Sequence, residues 1–336
     1  MNSIKIALDM GSSQTRIYEK DCGLVLCEPT LIALSKVFGS EQIKAYGNEA
    51  REMEGKTSDQ TVVFSPISQG EIKSEEYAAT LLKHFLQKIK PKSIFSKTID
   101  AVVCVPCALS DEQKETYARV CYKAGIASVK LVPEVITSAL GGGKFVHTPT
   151  TYLIVDIGHG KTDIATVNMN TILKGCTIGV GGEVCDDKIM AAVEENYQAF
   201  ISPQAAKQIK EEIGSLYERD IQNIEVLGVD SRTQAPKPII VVADVVKEGI
   251  VDTFEKIAYA IESTINMCSP DICSDISRGG IFFCGGVSKI SGLEDFMRKR
   301  LKLPVRIIED PDICGVLGCG KLLSDSSQLG EILKEF

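Results

Sequence analysis

The sequence predicts a two-lobed α/β fold of duplicated mixed β-sheet domains, each with a smaller inserted subdomain. Three observations carry this expectation. A chain of 336 residues exceeds one ordinary core and fits two of roughly 150 residues each. Strand-like and helix-like segments alternate along it, the pattern of an α/β class. One strand–turn–strand unit also occurs twice, about half a chain apart, the mark of an internally duplicated fold.

The elements follow in order. The first copy of the unit runs Ile4-Lys5-Ile6-Ala7-Leu8-Asp9 into Met10-Gly11-Ser12-Ser13-Gln14-Thr15 and returns as Arg16-Ile17-Tyr18. It reads as a β-hairpin with an Asp ending its first strand and glycine in its turn. The more polar stretch 27–72 interrupts the alternation and reads as a subdomain inserted into the first lobe. A helix over 75–90 and the strand-like Ala101-Val102-Val103-Cys104 come next. Ser110 is placed to cap a helix over 111–124, Gln113 closes a capping box and Gly125 ends the helix. The second copy runs Tyr152-Leu153-Ile154-Val155-Asp156 into Ile157-Gly158-His159-Gly160-Lys161-Thr162 and returns as Asp163-Ile164-Ala165-Thr166-Val167. Residues 183–243 form the second polar insertion, with a helix over 204–217 marked by Ala205, Ile209 and Ile213, and a further helix covers 244–268 before Pro270. Strand 280–284, a Gly285-Gly286 turn and a helix over 292–300 close the second lobe. The expected division is 1–30, 73–142 and 316–336 for the large part of the first lobe with 31–72 as its small part. For the second lobe it is 143–182 and 244–315, with 183–243 as its small part.

Composition removes several classes. Hydrophobic residues at 44% and charged residues at 24% are ordinary for a globular chain, which argues against disorder, collagen and coiled coil. With 37 Lys and Arg against 45 Asp and Glu, the net charge of −8 gives no electrostatic grip on a nucleic-acid backbone. The longest stretch without Asp, Glu, Lys or Arg, 145–155, falls short of the roughly 18–20 apolar residues that span a membrane. The first residues read directly as a strand and not as a secretory signal, so an intracellular protein is expected. The 12 cysteines, mostly inside apolar runs such as Phe282-Phe283-Cys284, are expected to be reduced and nearly all buried. Cys104-Val105-Pro106-Cys107 is a C-x-x-C without a second pair at metal spacing and reads as packing.

The glycine turns carry chemistry. Backbone N–H groups in glycine turns approach phosphates closely, and a carboxylate holds Mg²⁺ through its water shell. Asp9 with Gly11, Ser12 and Ser13, and Asp156 with Gly158, His159 and Gly160, supply both. Each turn returns as a strand, and no G-x-x-x-x-G-K-[ST] occurs, so this is neither a P-loop nor a dinucleotide fingerprint. Two such turns and a Gly-Gly turn, in this order, point to a phosphate gripped between lobes.

The same residues resemble the actin and heat-shock-chaperone ATPase superfamily, and within it the bacterial actins of the MreB and Mbl type. The resemblance spans nearly the whole chain and includes Ser65-Pro66-Ile67-Ser68-Gln69-Gly70-Glu71-Ile72, Gly179-Val180-Gly181-Gly182, Ile209-Lys210-Glu211-Glu212-Ile213-Gly214, Asp275-Ile276-Ser277-Arg278-Gly279-Gly280 and Leu317-Gly318-Cys319-Gly320-Lys321. It implies ATP and Mg²⁺ in the cleft of a two-lobed actin-like fold, with Asp9 and Asp156 as water-mediated metal anchors. It places Gly181, Gly182 and Glu183 near the ribose, Lys210 and Glu211 beside adenosine, and Gly285, Gly286 and Val287 under the α-phosphate and base. Glu134 falls where the family carries the Glu that orients the attacking water, with Asp156 and Thr162 as its catalytic companions. Three positions depart from the family pattern. His159 and Lys161 replace the middle Gly and first Thr of D-I-G-G-G-T-T-E, and Arg16 stands where an apolar residue is usual. Arg16, His159 and Lys161 would line the phosphates, where added cations strengthen binding, or else point outward from the turn. The resemblance further implies a double, antiparallel filament on the inner face of the membrane, serving cell shape beside cell-wall-synthesis proteins. The membrane contact would be Ile94 and Phe95, at a loop tip among Lys88, Lys90, Lys92 and Lys97. A slow ATPase and a regulatory paralogue with little turnover both remain open, and a small-molecule kinase on the same fold stands behind them.

Overall fold

The computed structural model describes residues 3–37, 40–57, 60–89, 98–144, 148–324 and 334–335, so Ile94 and Phe95 lie outside the described residues. Strands Ile4–Met10, Gln14–Glu19 and Gly23–Pro29 form an antiparallel meander. Ile99–Val105 and Ser128–Pro133 extend it in parallel beside Ile4–Met10, with Lys334–Glu335 at the edge. The second sheet repeats the plan: Tyr152–Ile157, Thr162–Asn168 and Thr171–Ile178 are the meander, and Ile281–Cys284 and Val305–Ile307 the parallel strands. The duplication extends to register. Asp9 pairs with Arg16 across the hairpin and with Cys104 in parallel, as Asp156 pairs with Asp163 and Cys284.

Parallel strands covered on both faces need continuous apolar runs, which residues 101–105 of strand Ile99–Val105 and all of Ile281–Cys284 supply. The outer face of the first sheet packs Leu8 and Val103 against Phe85 and Tyr117 of helices Glu75–Ile89 and Asp111–Ala124. On the second sheet Val155 and Phe283 meet Phe254 and Ile257 of helix Ala243–Asn266. The two inner faces share one core: Ala7, Val102, Ile154 and Phe282 close on helices Glu134–Gly141 and Cys314–Ser324. Those helices approach so closely that a Cβ on Gly318 would overlap the Thr137 carbonyl oxygen. They form the floor between the lobes.

Local signals act where expected. The Ser110 hydroxyl accepts the Gln113 N–H at 3.2 Å, the Gln113 side chain accepts the Ser110 N–H at 2.9 Å, and Gly125 closes the helix at φ 100°. The stretch 27–72 builds a small sheet of Ser40–Tyr46, Ile32–Val37 and Thr61–Phe64 with helix Gly47–Met53. The second insertion holds helices Gly182–Tyr197 and Pro203–Ile213 and a sheet of Ala199–Phe200, Asn223–Asp230 and Pro236–Val242.

Some expectations shift. The helix expected over 204–217 stops at Ile213, because the next residues leave to bond elsewhere, with the Leu216 N–H donating to the Ser291 carbonyl at 2.8 Å. Pro270 opens a new helix, Pro270–Gly279, at its first turn, where a missing N–H costs nothing. Cys22 and Cys27 are exposed on the hairpin and strand at the sheet edge, against the expectation of burial. Cys104 and Cys107 are free thiols; the Cys107 Sγ lies 3.5 Å from the Cys176 carbonyl, and burial pushes its thiol well up. Among the described residues no helix is long and apolar enough to cross a membrane.

Candidate functional site

Both hairpin turns sit at the carboxyl ends of the parallel strands, where open α/β sheets gather ligands. They face each other across a cleft of about 500 Å³. Asp9, Gly11, Ser12, Ser13 and Arg16 line it from the first turn, and Gly158, His159, Gly160 and Lys161 from the second. Glu134 and Asp156 line it too, as do Lys210 and Glu211 of helix Pro203–Ile213 and Gly285, Gly286 and Val287 after strand Ile281–Cys284. The turns touch. A Cβ at Gly160 would stand 2.7 Å from the Ser12 Oγ and 2.9 Å from the Gln69 N, so glycine permits the approach.

Four residues read as site residues lie outside this lining. Thr162 is fully buried, and its hydroxyl donates to the Val180 carbonyl at 2.6 Å. Gly181, Gly182 and Glu183 support the second turn from behind. The Gly182 and Glu183 N–H groups, at the start of helix Gly182–Tyr197, donate to the carbonyls of Gly158 at 3.0 Å and His159 at 2.7 Å.

An ion cluster spans the lobes at the bottom of the cleft. The Lys161 Nζ from the second lobe lies 2.8 Å from the Glu134 Oε2 of the first and 2.5 Å from the Asp163 Oδ2 of its own hairpin. Burial works against its charge, yet Asp163, Glu134 and Asp156 hold the Lys161 ammonium well above its ordinary value. Glu134 shows the opposite balance: burial pushes its carboxyl up to about 8 against the pull of Lys161, with Asp156 and Asp9 adding to the rise. One ammonium among several buried carboxylates leaves the last of them favouring its proton. Asp156 is also raised by burial, and its Oδ2 accepts the Ser138 hydroxyl at 2.8 Å and the Cys284 thiol at 3.3 Å. The Ser138 bond again joins the lobes.

Asp9 is held by Arg16, whose Nη1 donates to Oδ2 at 3.0 Å. Beside the turns, the Lys207 Nζ reaches the Ser13 hydroxyl at 3.2 Å, and the Lys210 Nζ meets the Gly182 carbonyl at 2.8 Å and Asp186 Oδ1 at 2.6 Å. Burial, then Lys210, Lys207 and Arg51, depress the His159 imidazole to about 3. It is neutral at physiological pH and makes no ion pair with Asp186, 3.9 Å away.

This donor set does not fit Mg²⁺ as Asp9 and Asp156 alone suggested. Asp9 is already countercharged by Arg16, one Asp156 oxygen is taken by two donors, and Lys161 occupies the middle of the carboxylates. No group of three or more His, Cys, Asp or Glu placed to hold a metal occurs among the described residues.

Ser138, Asp163, Asp186 and Lys207 were not singled out in the sequence. Ser138 and Lys207 had faint signals, one turn after Glu134 and one turn before Lys210 on the same helices. Asp163 had a local signal too, two residues after Lys161, whereas Asp186 had none, since only the fold brings Lys210 to it.

Comparison with known proteins agrees with this geometry. The family described as MreB/Mbl protein matches residues 3–331. The cell shape-determining protein Mbl of Bacillus subtilis (strain 168) is 30% identical over 325 residues, 96% of this chain and 97% of that protein. The cell shape-determining protein MreB of Escherichia coli (strain K12) is 29% identical over 326 residues, 96% and 94% of the two chains. Among solved structures, MreB5 of Spiroplasma citri bound to AMPPNP superposes with a TM-score of 0.91 at 27% identity, covering 98% of each chain. A MamK double helical filament superposes with a TM-score of 0.80 at 21% identity over 96% of this chain and 99% of that one, a likeness of fold. With its sequence matched end to end and its two hairpins facing one cleft, the chain belongs to the MreB/Mbl family of actin-like proteins.

Proposed function

We propose that this chain is an actin-like subunit that binds adenosine triphosphate between its lobes, assembles with copies of itself, and turns the nucleotide over slowly. The observation that carries the slow turnover is the Lys161 ammonium, 2.8 Å from Glu134 and 2.5 Å from Asp163. Phosphoryl transfer leaves the protein mainly the tasks of positioning and charge stabilisation, and a carboxylate orients water only with an oxygen free to accept from it. Here one of the two Glu134 oxygens, Oε2, accepts from Lys161, and the ammonium competes with water for this carboxyl group. Nucleotide binding is supported by the lining of the cleft and by the MreB5 relative, solved with AMPPNP and with ADP.

A role in cell shape follows the names of the Mbl and MreB relatives. In this reading a double, antiparallel filament lies on the inner face of the membrane beside cell-wall-synthesis proteins. The support for its membrane contact is the sequence pattern of Ile94 and Phe95 among Lys88, Lys90, Lys92 and Lys97, and the rest follows the family resemblance. The test is phosphate release by assembled protein. Wild type and Glu134→Ala should release phosphate at rates within about threefold of each other, and Lys161→Thr should release it about tenfold faster or more. Fast wild-type release that Glu134→Ala abolishes would show Glu134 working freely and end the slow-turnover reading.

A further inference from the structure

We infer that this site grips the nucleotide phosphates with its own cations, Arg16 and Lys161, and binds nucleotide without a divalent metal. The inference rests on the nucleotide reading above and concerns what neutralises the phosphates. Three observations lead to it.

First, the Arg16 guanidinium is built into the cleft wall and only partly used. Its Nη1 is spent on Asp9, while its Nε is buried and has no hydrogen-bond partner among the described residues. An orphaned buried N–H is costly, and an anionic oxygen arriving in the cleft satisfies it with a charge-assisted bond. Second, the Lys161 ammonium stands in the gap between the lobes, bridging Glu134 and Asp163 with Asp156 close enough to bias its charge. That is a fixed positive centre amid carboxylates, the electrostatic role a hydrated divalent ion plays where the carboxylates are free. Third, each of the two carboxylates that mark the duplicated hairpins has one oxygen already committed. Asp9 Oδ2 accepts from Arg16, and Asp156 Oδ2 accepts from Ser138 and Cys284. Mg²⁺ keeps its waters in near-ideal octahedral geometry and needs acceptors that can align them. With a guanidinium on one Asp9 oxygen and two donors on one Asp156 oxygen, the pair has fewer acceptor sites left to align those waters.

Charge balance points the same way. Glu134, pushed up to about 8, keeps its proton near neutral pH, and Arg16 and Lys161 offset two of the other three acids, Asp9, Asp156 and Asp163, before any ligand arrives. A free metal ion therefore meets less negative charge here than four unpaired carboxylates would present, and a polyphosphate meets less repulsion. Both cations line the cleft, so neither has to leave its element to meet a phosphate.

The experiment is calorimetric titration of the full chain with ATP in excess Mg²⁺ and in EDTA. The inference expects affinities within about threefold of each other. In EDTA, Arg16→Gln and Lys161→Gln should each lose about tenfold or more, and Mg²⁺ should restore part of that loss. Lys161→Arg, which keeps the charge if the buried pocket disfavours glutamine, should stay within about threefold of wild type in EDTA. A wild-type affinity that collapses more than about tenfold on chelation overturns the inference and leaves nucleotide binding standing. Absence of ATP binding in both buffers overturns the inference together with the nucleotide reading.

Discussion

Replacing Lys161 with methionine removes the ammonium and keeps most of the side-chain volume, which isolates the charge. Lys161 and Glu134 side chains are 13% and 19% exposed and that of Asp163 is fully buried, so solvent screens little of the loss. Breaking a buried ion pair by deleting one partner commonly costs about 3–5 kcal/mol, because it strands the other charge. At about 2 °C per kcal/mol for a large chain, the first thermal transition should fall by roughly 6–10 °C. The pH dependence is more diagnostic. Glu134 is held at about 8 in the fold, above its ordinary 4.5. It therefore keeps its proton when folded and loses it when unfolded between those values, and its contribution weakens as pH rises through that window. In wild type this decline ends once Glu134 ionises near 8. Without Lys161 its pKa climbs further, so the variant continues to lose about 1.4 kcal/mol per pH unit where wild type no longer does. The cost of Lys161→Met should thus grow between about pH 7 and pH 9, and adding Glu134→Gln should remove that growth and leave the Asp163 part. Differential scanning fluorimetry of wild type, both single variants and the double variant across that range measures it. A cost that is flat with pH, or a variant that melts like wild type, would refute the cluster as described.

Three further outcomes are expected. Gly318→Ala drives a methyl into the Thr137 carbonyl where helices Glu134–Gly141 and Cys314–Ser324 meet; a loss of at least about 3 kcal/mol in urea unfolding is expected, and wild-type stability would show that the helices have room. Ser138→Ala deletes the 2.8 Å donor that ties Asp156 to the other lobe and should cost about 1.5–3 kcal/mol by the same measurement; no change would mean that the Cys284 thiol suffices. His159 titrates near 3 when folded against an ordinary 6.5, so its contribution is present above about 6.5 and is lost as pH falls through that window. Wild type should therefore lose about 2 kcal/mol more than His159→Gln between about pH 7 and pH 5, and parallel melting curves would place the imidazole in water.

What the sequence by itself determined is what short range determines. The apolar run of Ile4–Met10, the glycine turns after Asp9 and Asp156, the Ser110 capping box and the repetition of one hairpin are all set within a few residues. Each was readable because strand period, turn chemistry and caps are local. The match of ordered motifs along the chain likewise named the family, and with it the cleft. The tertiary structure alone decided who faces whom inside that cleft. Lys161 was visible as a departure from the family pattern, but its partner Glu134 lies 27 residues away on the other lobe. Ser138 meets Asp156 across the same gap, and Arg16 takes up Asp9, a pairing that hairpin register permits without requiring. Thr162 was read as catalytic from its place in the motif, yet the turn rotates it into the protein to bond Val180. Lobe packing decides these pairings because a buried charge is stable only with a partner, and the partner that packing supplies need not be near it in sequence.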